Sequence, residues 1–342
     1  MCVYTLKHAI EYYNRCGSPV YVCFLDASKA FDRINHWKLF DKLLNRNFEC
    51  SILRIIMYWY CNQSMCIRWG RSYSPCFNVS NGVRQGGILS PILFNLYMDD
   101  LSTKLNETKI GCNLNGTFVN HLMYADDTCI LKPSPFALKR LLDICSEFAK
   151  ENSIIFNENK TKCMCFKPKC MQTLCVPDIP FKGKTLEFTD QLKYLGIFLS
   201  DDLLDDRDIK RHVRSLYGRG NMLTKNFQKC SQDVKNYLFR AYCSSTYGCP
   251  LWKSYKASDY KKAIVAYNDV YRSLFSIKRG ESMFHIFVMQ KISHLNVLRR
   301  KCIFSFRERL LISDNQLIRT IVNSLFYRVS SMTCKWRQLL YT

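Results

Sequence analysis

Three carboxylates stand where strand-like apolar runs stop, and that placement limits what the chain can fold into. Residues 20–25 (VYVCFL) are a β-branched and aromatic run of strand length that ends at Asp26. Residues 117–132 (TFVNHLMYADDTCILK) are two apolar runs divided by Asp126-Asp127, the pattern of a β-hairpin with a charged tip. Burial penalises a carboxylate unless positive charge compensates it, and a second carboxylate beside it raises the penalty. Divalent cations bound between them would remove it, and hard oxygen ligands select Mg²⁺. Two such ions about 4 Å apart stabilise the attacking and leaving oxygens of an in-line displacement at phosphorus. An isolated Asp-Asp is more often a turn or a solvated face, the reading given to Asp99-Asp100, Asp201-Asp202 and Asp205-Asp206.

The rest of the pattern supplies a frame for such a site. Residues 34–44 show apolar residues at helical spacing, and residues 51–61 (SILRIIMYWYC) predict a buried helix. Residues 64–80 predict short strands, with a hairpin around Gly70-Arg71. Ser90-Pro91 predicts a helix start, with the Ser90 hydroxyl at the N-cap and Pro91 at the first helical position, running to about Leu105. Residues 135–151 predict an amphipathic helix burying Phe136, Leu138, Leu141, Leu142, Ile144, Cys145 and Phe148. Residues 154–166 and 185–199 read as strands, and from about Asp208 the pattern is helical. Strands interleaved with helices, then helices alone, predict an α+β domain followed by an all-α one.

Charge divides the chain in the same way. The net charge of +22 is spread unevenly: residues 1–206 hold 24 basic and 21 acidic residues, and residues 207–342 hold 26 and 7. A polycationic half predicts a polyanionic partner. Lys210, Arg211 and Arg214 form one basic face, and Arg299, Arg300, Lys301, Arg307 and Arg309 another, with aromatic residues between them. A hydrophobic content of 48% excludes a wholly disordered chain. The 19 Cys are scattered, odd in number and preceded by no signal-peptide pattern, which predicts reduced thiols in an intracellular protein of the nucleus or cytoplasm, not a secreted one. No run of about 18 apolar residues occurs, so no membrane partner is expected. Cys163, Cys165, Cys170 and Cys175 are not spaced as a zinc knuckle, and no zinc is expected. No Ser/His/Asp arrangement or phosphate-binding P-loop is found.

Three motifs sharpen the reading. Phe24-Leu25-Asp26-Ala27-Ser28-Lys29-Ala30-Phe31-Asp32 resembles the first palm motif of reverse transcriptases. Residues 81–91 (NGVRQGGILSP) resemble the second, and Tyr124-Ala125-Asp126-Asp127 the third, in the form typical of the non-LTR (LINE-like) and group II intron branch. Gln85-Gly86 with Leu89-Ser90-Pro91 favours the non-LTR side. Tyr97-Met98-Asp99-Asp100 spells the retroviral form of the third motif, but it lies inside the predicted helix from Ser90 and is not the expected site.

The resemblance implies a reverse-transcriptase-type palm, an antiparallel sheet with helices on one face, over residues 1–206. It implies an all-α basic thumb and C-terminal extension over 207–342. Asp26, Asp126 and Asp127 would hold two Mg²⁺ ions, with Mn²⁺ as an alternative. Phe31 stands where the family places an aromatic gate against a ribose 2′-hydroxyl; a core position is the other reading. Arg84, Gln85 and Gly86 would border the incoming nucleotide, Gly86 by allowing close backbone approach, although Arg84 reads equally as a solvated arginine. Residues 157–162 resemble a fourth motif in which Lys160 or Lys162 would protonate the leaving pyrophosphate, with no choice between them; a solvated loop lysine is the other reading. Tyr194-Leu195-Gly196 resembles the primer-grip turn, and Lys210, Arg211 and Arg214 would touch nucleic-acid phosphates.

The implied reaction is the addition of deoxynucleotides from their triphosphates to a DNA primer on an RNA template, with no obligate protein partner evident. Only 25 residues precede Asp26. The family's fingers are therefore expected to be largely absent, as in a truncated retroelement product, and incorporation by this chain alone to be poor. The alternatives are a catalytically inactive nucleic-acid-binding fragment and a group II intron maturase-like splicing cofactor.

Overall fold

Strand β1 (Val20–Asp26) is buried along its length except at Asp26, because it is hydrogen-bonded on both sides. The computed structural model describes residues 1–171, 173 and 176–341. The chain divides into two compact units, residues 17–189 and residues 3–16 with 190 onward. It opens with helix α1 (Cys2–Arg15), which belongs to the second of these apart from Cys2.

The first unit adds β2 (His121–Tyr124), β3 (Asp127–Lys132), β4 (Lys162–Phe166) and β5 (Glu187–Phe188) to a five-stranded sheet in the order β5-β4-β1-β3-β2. All pairings are antiparallel except β4 with β5. Its helices are α2 (His36–Asn45), α3 (Cys50–Cys61), α4 (Ser90–Glu107) and α5 (Pro135–Glu151). The alternation of β1 sends Tyr21, Cys23 and Leu25 into one core with Phe94 and Leu101 of α4 and Leu141 and Phe148 of α5. Each such side chain contributes about 1.5–3 kcal/mol by leaving water. Short hairpins pair residues 68–69 with 72–73 and 64–65 with 77–78, around the expected Gly70-Arg71 turn.

Three local expectations need correction. Helix α3 is not buried throughout: Leu53, Ile56 and Tyr60 face the core, while Ile52, Ile55, Tyr58 and Trp59 are exposed. Phe136 is 83% exposed, because it lies off the stripe through Leu138, Leu141, Cys145 and Phe148 that meets the sheet. Ser90 is the first residue of α4 rather than its cap; its hydroxyl donates to the Arg84 carbonyl, tying the helix to the preceding loop.

The second unit begins with a hairpin, β6 (Gln191–Tyr194) and β7 (Ile197–Ser200). Helices follow to its end: α6 (Asp206–Phe227), α7 (Gln232–Cys243), α8 (Ala257–Phe275), α9 (Met283–Met289), α10 (Leu295–Leu311), α11 (Gln316–Asn323), α12 (Leu325–Val329) and α13 (Ser331–Tyr341). Leu216, Leu223, Phe239, Tyr267, Tyr271 and Phe287 form its core. At Gly220 the crossing of α6 and α8 is so close that a Cβ would lie 2.6 Å from Val270 Cγ1. No helix among the described residues is long and apolar enough to cross a membrane.

The division falls at 189/190 rather than at 206/207, and α1 joins the helical unit. Buried charge explains both. Asp208, fully buried, accepts from the Trp252 indole at 2.7 Å, Arg211 Nε at 2.7 Å and the Phe198 backbone at 3.1 Å, so β7 is tied to the helices. Asp205, read from the sequence as part of a turn or a solvated face, is also buried; it pairs with Lys7 of α1 and accepts from the Lys253 and Ser254 amides. Glu11 of α1 binds Lys253 Nζ at 2.6 Å and the Ser331 amide at 2.7 Å. Tyr4 stacks on Trp336 with ring centroids 5.9 Å apart. Burial also pushes the His8 imidazole down to about 4, so it stays neutral beside these ion pairs.

Replacing Gly220 with Ala forces a methyl into the Val270 side chain. The expected cost is about 1–3 kcal/mol. Urea unfolding of G220A against the parent chain, with the second unit's transition followed through its Trp residues, measures it.

Candidate active site

The register of β1 and β3 sets Asp26 directly opposite Asp127. Like charges in that position destabilise an antiparallel pair. Tyr124 pairs with Asp127 in turn, so Ala125 and Asp126 form the two-residue tip of the β2–β3 hairpin. Ala125 adopts φ +51°, a conformation that costs a non-glycine residue about 1–2 kcal/mol. Three carboxylates thus gather at one end of the sheet, with Asp126 and Asp127 exposed and the Asp26 side chain 41% exposed. Partial burial pushes the Asp127 carboxyl above its ordinary value, and the charges of Asp126 and Asp26 push the same way.

As they stand, no group of three His, Cys, Asp or Glu side chains among the described residues could hold a metal ion. The donor set is nonetheless all carboxylate, and its repulsion is what a divalent cation would relieve. By donor chemistry, though not by their present spacing, the residues fit such an ion.

The segment at 155–161 runs along the end of β1. Asn157 N–H donates to the Asp26 carbonyl at 2.8 Å, Ser28 N–H to the Ile155 carbonyl at 2.8 Å, and Asp26 N–H to Thr161 Oγ1 at 3.4 Å. The Asn157 side chain accepts from the amides of Asn159 and Lys160 at 3.0 and 3.3 Å, closing a turn. That turn brings Lys160 Nζ to 3.9 Å from Asp26 Oδ2, the one cation paired with a carboxylate of the trio among the described residues. Lys162 points elsewhere, into an ion pair with Glu187. Of the two lysines left open by the sequence, only Lys160 lies at the site. Asn157 and Thr161 were not anticipated; they act through short-range turn geometry that only the folded segment displays.

Phe31 follows in a single 3₁₀ turn, half-buried, its ring stacked on Phe94 with centroids 4.5 Å apart at 16°. It is both a core neighbour and a partly open ring. The 81–86 loop is pinned beside it: Val83 N–H donates to the Phe31 carbonyl at 2.8 Å and Gly82 N–H to the Ile34 carbonyl at 2.7 Å. A Cβ at Gly82 would lie 2.9 Å from the Asp32 backbone, so only glycine fits there. Gln85 is exposed and its amide reaches Asp32 Oδ1 at 3.4 Å; Arg84 is exposed as well. At Gly86 the space around a Cβ position is open beyond its chain neighbours, and the φ of +84° is what favours glycine there.

Asp99 and Asp100 are inside α4, held by Lys42 and Arg46. Burial works against the Asp100 charge, yet hydrogen bonds from Lys42 and Arg46 outweigh it and keep the carboxyl below its ordinary range. Tyr194-Leu195-Gly196 belong to the second unit, at the tip of β6–β7. Leu195 takes φ +45°, and the Tyr247 hydroxyl holds its carbonyl at 2.8 Å, a support that nothing in the sequence signals. Of the basic trio in α6, Arg211 is committed to buried Asp208 and Lys210 lies 3.6 Å from Asp259, while Arg214 is exposed without an ion pair among the described residues. Cys163 and Cys165 are buried in β4, Cys170 is exposed, and Cys175 lies outside the described residues.

The profile of a family described as reverse transcriptase (RNA-dependent DNA polymerase) matches residues 3–199, more than half the chain. The chain belongs to the reverse transcriptase family. Over the matched residues its α+β pattern is the fold of that family, and reverse transcriptases work with divalent metal ions on a nucleic-acid template. Among its relatives is the Pol polyprotein of the type-2 retrotransposable element R2DM of Drosophila melanogaster, 30% identical over 56% of this chain and 18% of that protein. Another is the probable RNA-directed DNA polymerase of transposon X-element from the same organism, 25% identical over 67% of this chain and 25% of that protein. The chain thus spans no more than about a quarter of the length of these non-LTR relatives. A solved telomerase from Candida albicans superposes over 98% of the chain and 52% of its own with 14% identity and a TM-score of 0.47, too weak a likeness to add to the assignment.

The raised Asp127 carboxyl makes a pH prediction. The folded chain binds that proton more tightly than the unfolded chain does. Stability is therefore lost as pH rises from 3.8 through the raised value, and the penalty is complete above it. In EDTA, Asp127→Asn is expected to melt higher than the parent at about pH 7 and no higher near pH 3, by differential scanning calorimetry.

Proposed function

We propose that this chain carries the palm and thumb of an RNA-directed DNA polymerase of a non-LTR, LINE-like retroelement. In this reading it extends a DNA primer along an RNA template with deoxynucleoside triphosphates. The observation that carries the reading is the strand-end trio, Asp26 opposite Asp127 with Asp126 at the adjoining turn, and Lys160 beside it.

Asp26, Asp126 and Asp127 would hold two Mg²⁺ ions, which when bound offset the charge on the attacking and leaving oxygens at phosphorus. The chain's own residues do the rest. Lys160, 3.9 Å from Asp26, stands ready to give a proton to a departing pyrophosphate oxygen. Phe31, braced by Phe94, offers its open face as a wall against a ribose 2′-hydroxyl. The 84–86 loop, fixed by Gly82 and Val83, offers exposed Arg84 and Gln85 to the triphosphate and template base. In the helical unit, Arg214 supplies a cation for backbone phosphate, and the Leu195-Gly196 turn, held by Tyr247, would grip the primer.

Single-nucleotide incorporation on an RNA–DNA template–primer with Mg²⁺ tests this. Asp126→Asn removes a ligand worth several kcal/mol of charge stabilisation, so its rate should fall by about 10³-fold or more. Lys160→Ala should lose about 10²-fold or more, while Lys162→Ala stays within a few-fold of the parent. Incorporation indifferent to Asp126 would overturn the assignment. Intact template–primer binding without any incorporation by the parent chain would make it a binding module instead.

A further inference from the structure

Outside this site, the guanidinium of Arg299 in α10 is a buried charge without an ion pair among the described residues. The residue is 2% exposed. Among the described residues its hydrogen bonds go only to neutral groups, the Tyr255 hydroxyl at 2.6 Å and the Trp252 carbonyl at 2.9 Å, and its Nε has no partner. The rings of Tyr260, Tyr255 and Trp252 lie 4.7, 5.0 and 5.8 Å from the guanidinium carbon. Cation–π attraction offsets part of the burial cost, but a buried cation without an anion remains expensive.

A cleft of about 390 Å³ opens beside it, lined also by Asn296, Arg300 and Lys335 and, among the described residues, by no acidic side chain. Arg300 is exposed and makes no ion pair among the described residues. The Lys335 ammonium lies 5.5 Å from the Tyr255 ring, and its hydrogen bond goes to the neutral Gln338 amide at 3.2 Å. Two cations already sit over Tyr255, so that ring is no platform for a base. Three positive groups thus converge, one of them buried with an unused N–H, and no described residue of the cleft balances them.

We propose that this cleft binds a phosphate group, with Arg300 and Lys335 meeting the anion at the mouth and Arg299 holding fixed positive charge behind it. Arginine and lysine suit phosphate by geometry and by charge. The polymerase reading supplies the expected source, a phosphodiester of the nucleic-acid backbone, and the inference rests on that reading for the source though not for the chemistry. Free phosphate is the other source.

The test uses the full chain and a labelled RNA–DNA duplex followed by fluorescence anisotropy across a salt series. Arg300→Gln with Lys335→Gln is compared with Lys278→Gln with Arg279→Gln, an equal loss of charge at two exposed positions outside the cleft. Each phosphate that the protein ceases to neutralise lowers the slope of log affinity against log salt by about 0.9. The cleft pair should lower it by about 1–2 and weaken binding at least about tenfold more than the control pair. Thermal melting with inorganic phosphate separates the sources. Phosphate protection of the parent that the cleft pair lacks shows that the free anion is taken too. A selective loss of duplex affinity without protection shows that phosphate is taken only within a strand. Equal losses for both pairs, with no phosphate protection, would overturn the proposal. The polymerase reading fails separately, through incorporation indifferent to Asp126; should the parent bind no duplex, phosphate protection alone decides the cleft.

Discussion

A carboxylate cannot remain charged inside the sheet through which β1 runs, so β1 has to reach water at Asp26. That requirement fixes one end of the sheet, and the remainder of the first unit is arranged around it. Because strand side chains alternate, the pairing that buries Cys23 against Ile130 also puts Asp127 opposite Asp26. A slip of one residue would send Val20, Val22 and Phe24 into the space shaped for Tyr21, Cys23 and Leu25 and would separate the carboxylates. Hydrophobic register and the placement of charge are therefore one constraint, and repulsion at the strand end is tolerated because the core on either side of β1 enforces it.

The loops that surround the carboxylates are fixed by backbone hydrogen bonds rather than by long side chains. The 155–161 turn bonds to the Asp26 and Ser28 peptides, and the 81–83 segment bonds to the peptides of Phe31 and Ile34. Lys160, Gln85 and Arg84 are thus exposed side chains on backbone that is pinned close by. The helical unit uses the opposite strategy. It buries Asp205 and Asp208 and satisfies each with several donors, so part of its large positive charge is consumed internally. Arg211 is an example: it reads as a ligand contact in a sequence and is an internal counter-ion in the fold.

The placement of the three strand-end carboxylates was legible because its signal is local: an apolar strand, an acid at its end, an Asp-Asp turn between strands. The decoy at Asp99-Asp100 was legible for the same reason, since a helix start at Ser90-Pro91 rules out a hairpin tip there. What escaped was anything decided by distant partners. Lys160 and Lys162 differ only in direction, and Glu187 claims the second. The exposed side of α3 and the exposure of Phe136 depend on how wide a stripe the neighbouring elements can cover. The placement of α1 depends on Lys7 meeting an Asp205 that is 198 residues away, which no window of sequence contains.

That last pairing bears on the order in which the chain acquires its structure. A ribosome releases α1 well before the residues that receive its charges, at 205, 253 and 331. At ordinary elongation speeds the wait for Ser331 is on the order of tens of seconds. Throughout it, Lys7 and Glu11 of α1 lack the partners that they meet in the fold, while the strands at 20–188 can already pair with one another. Synthesis thus leaves the charges of α1 without their internal partners until the helices of the second unit emerge.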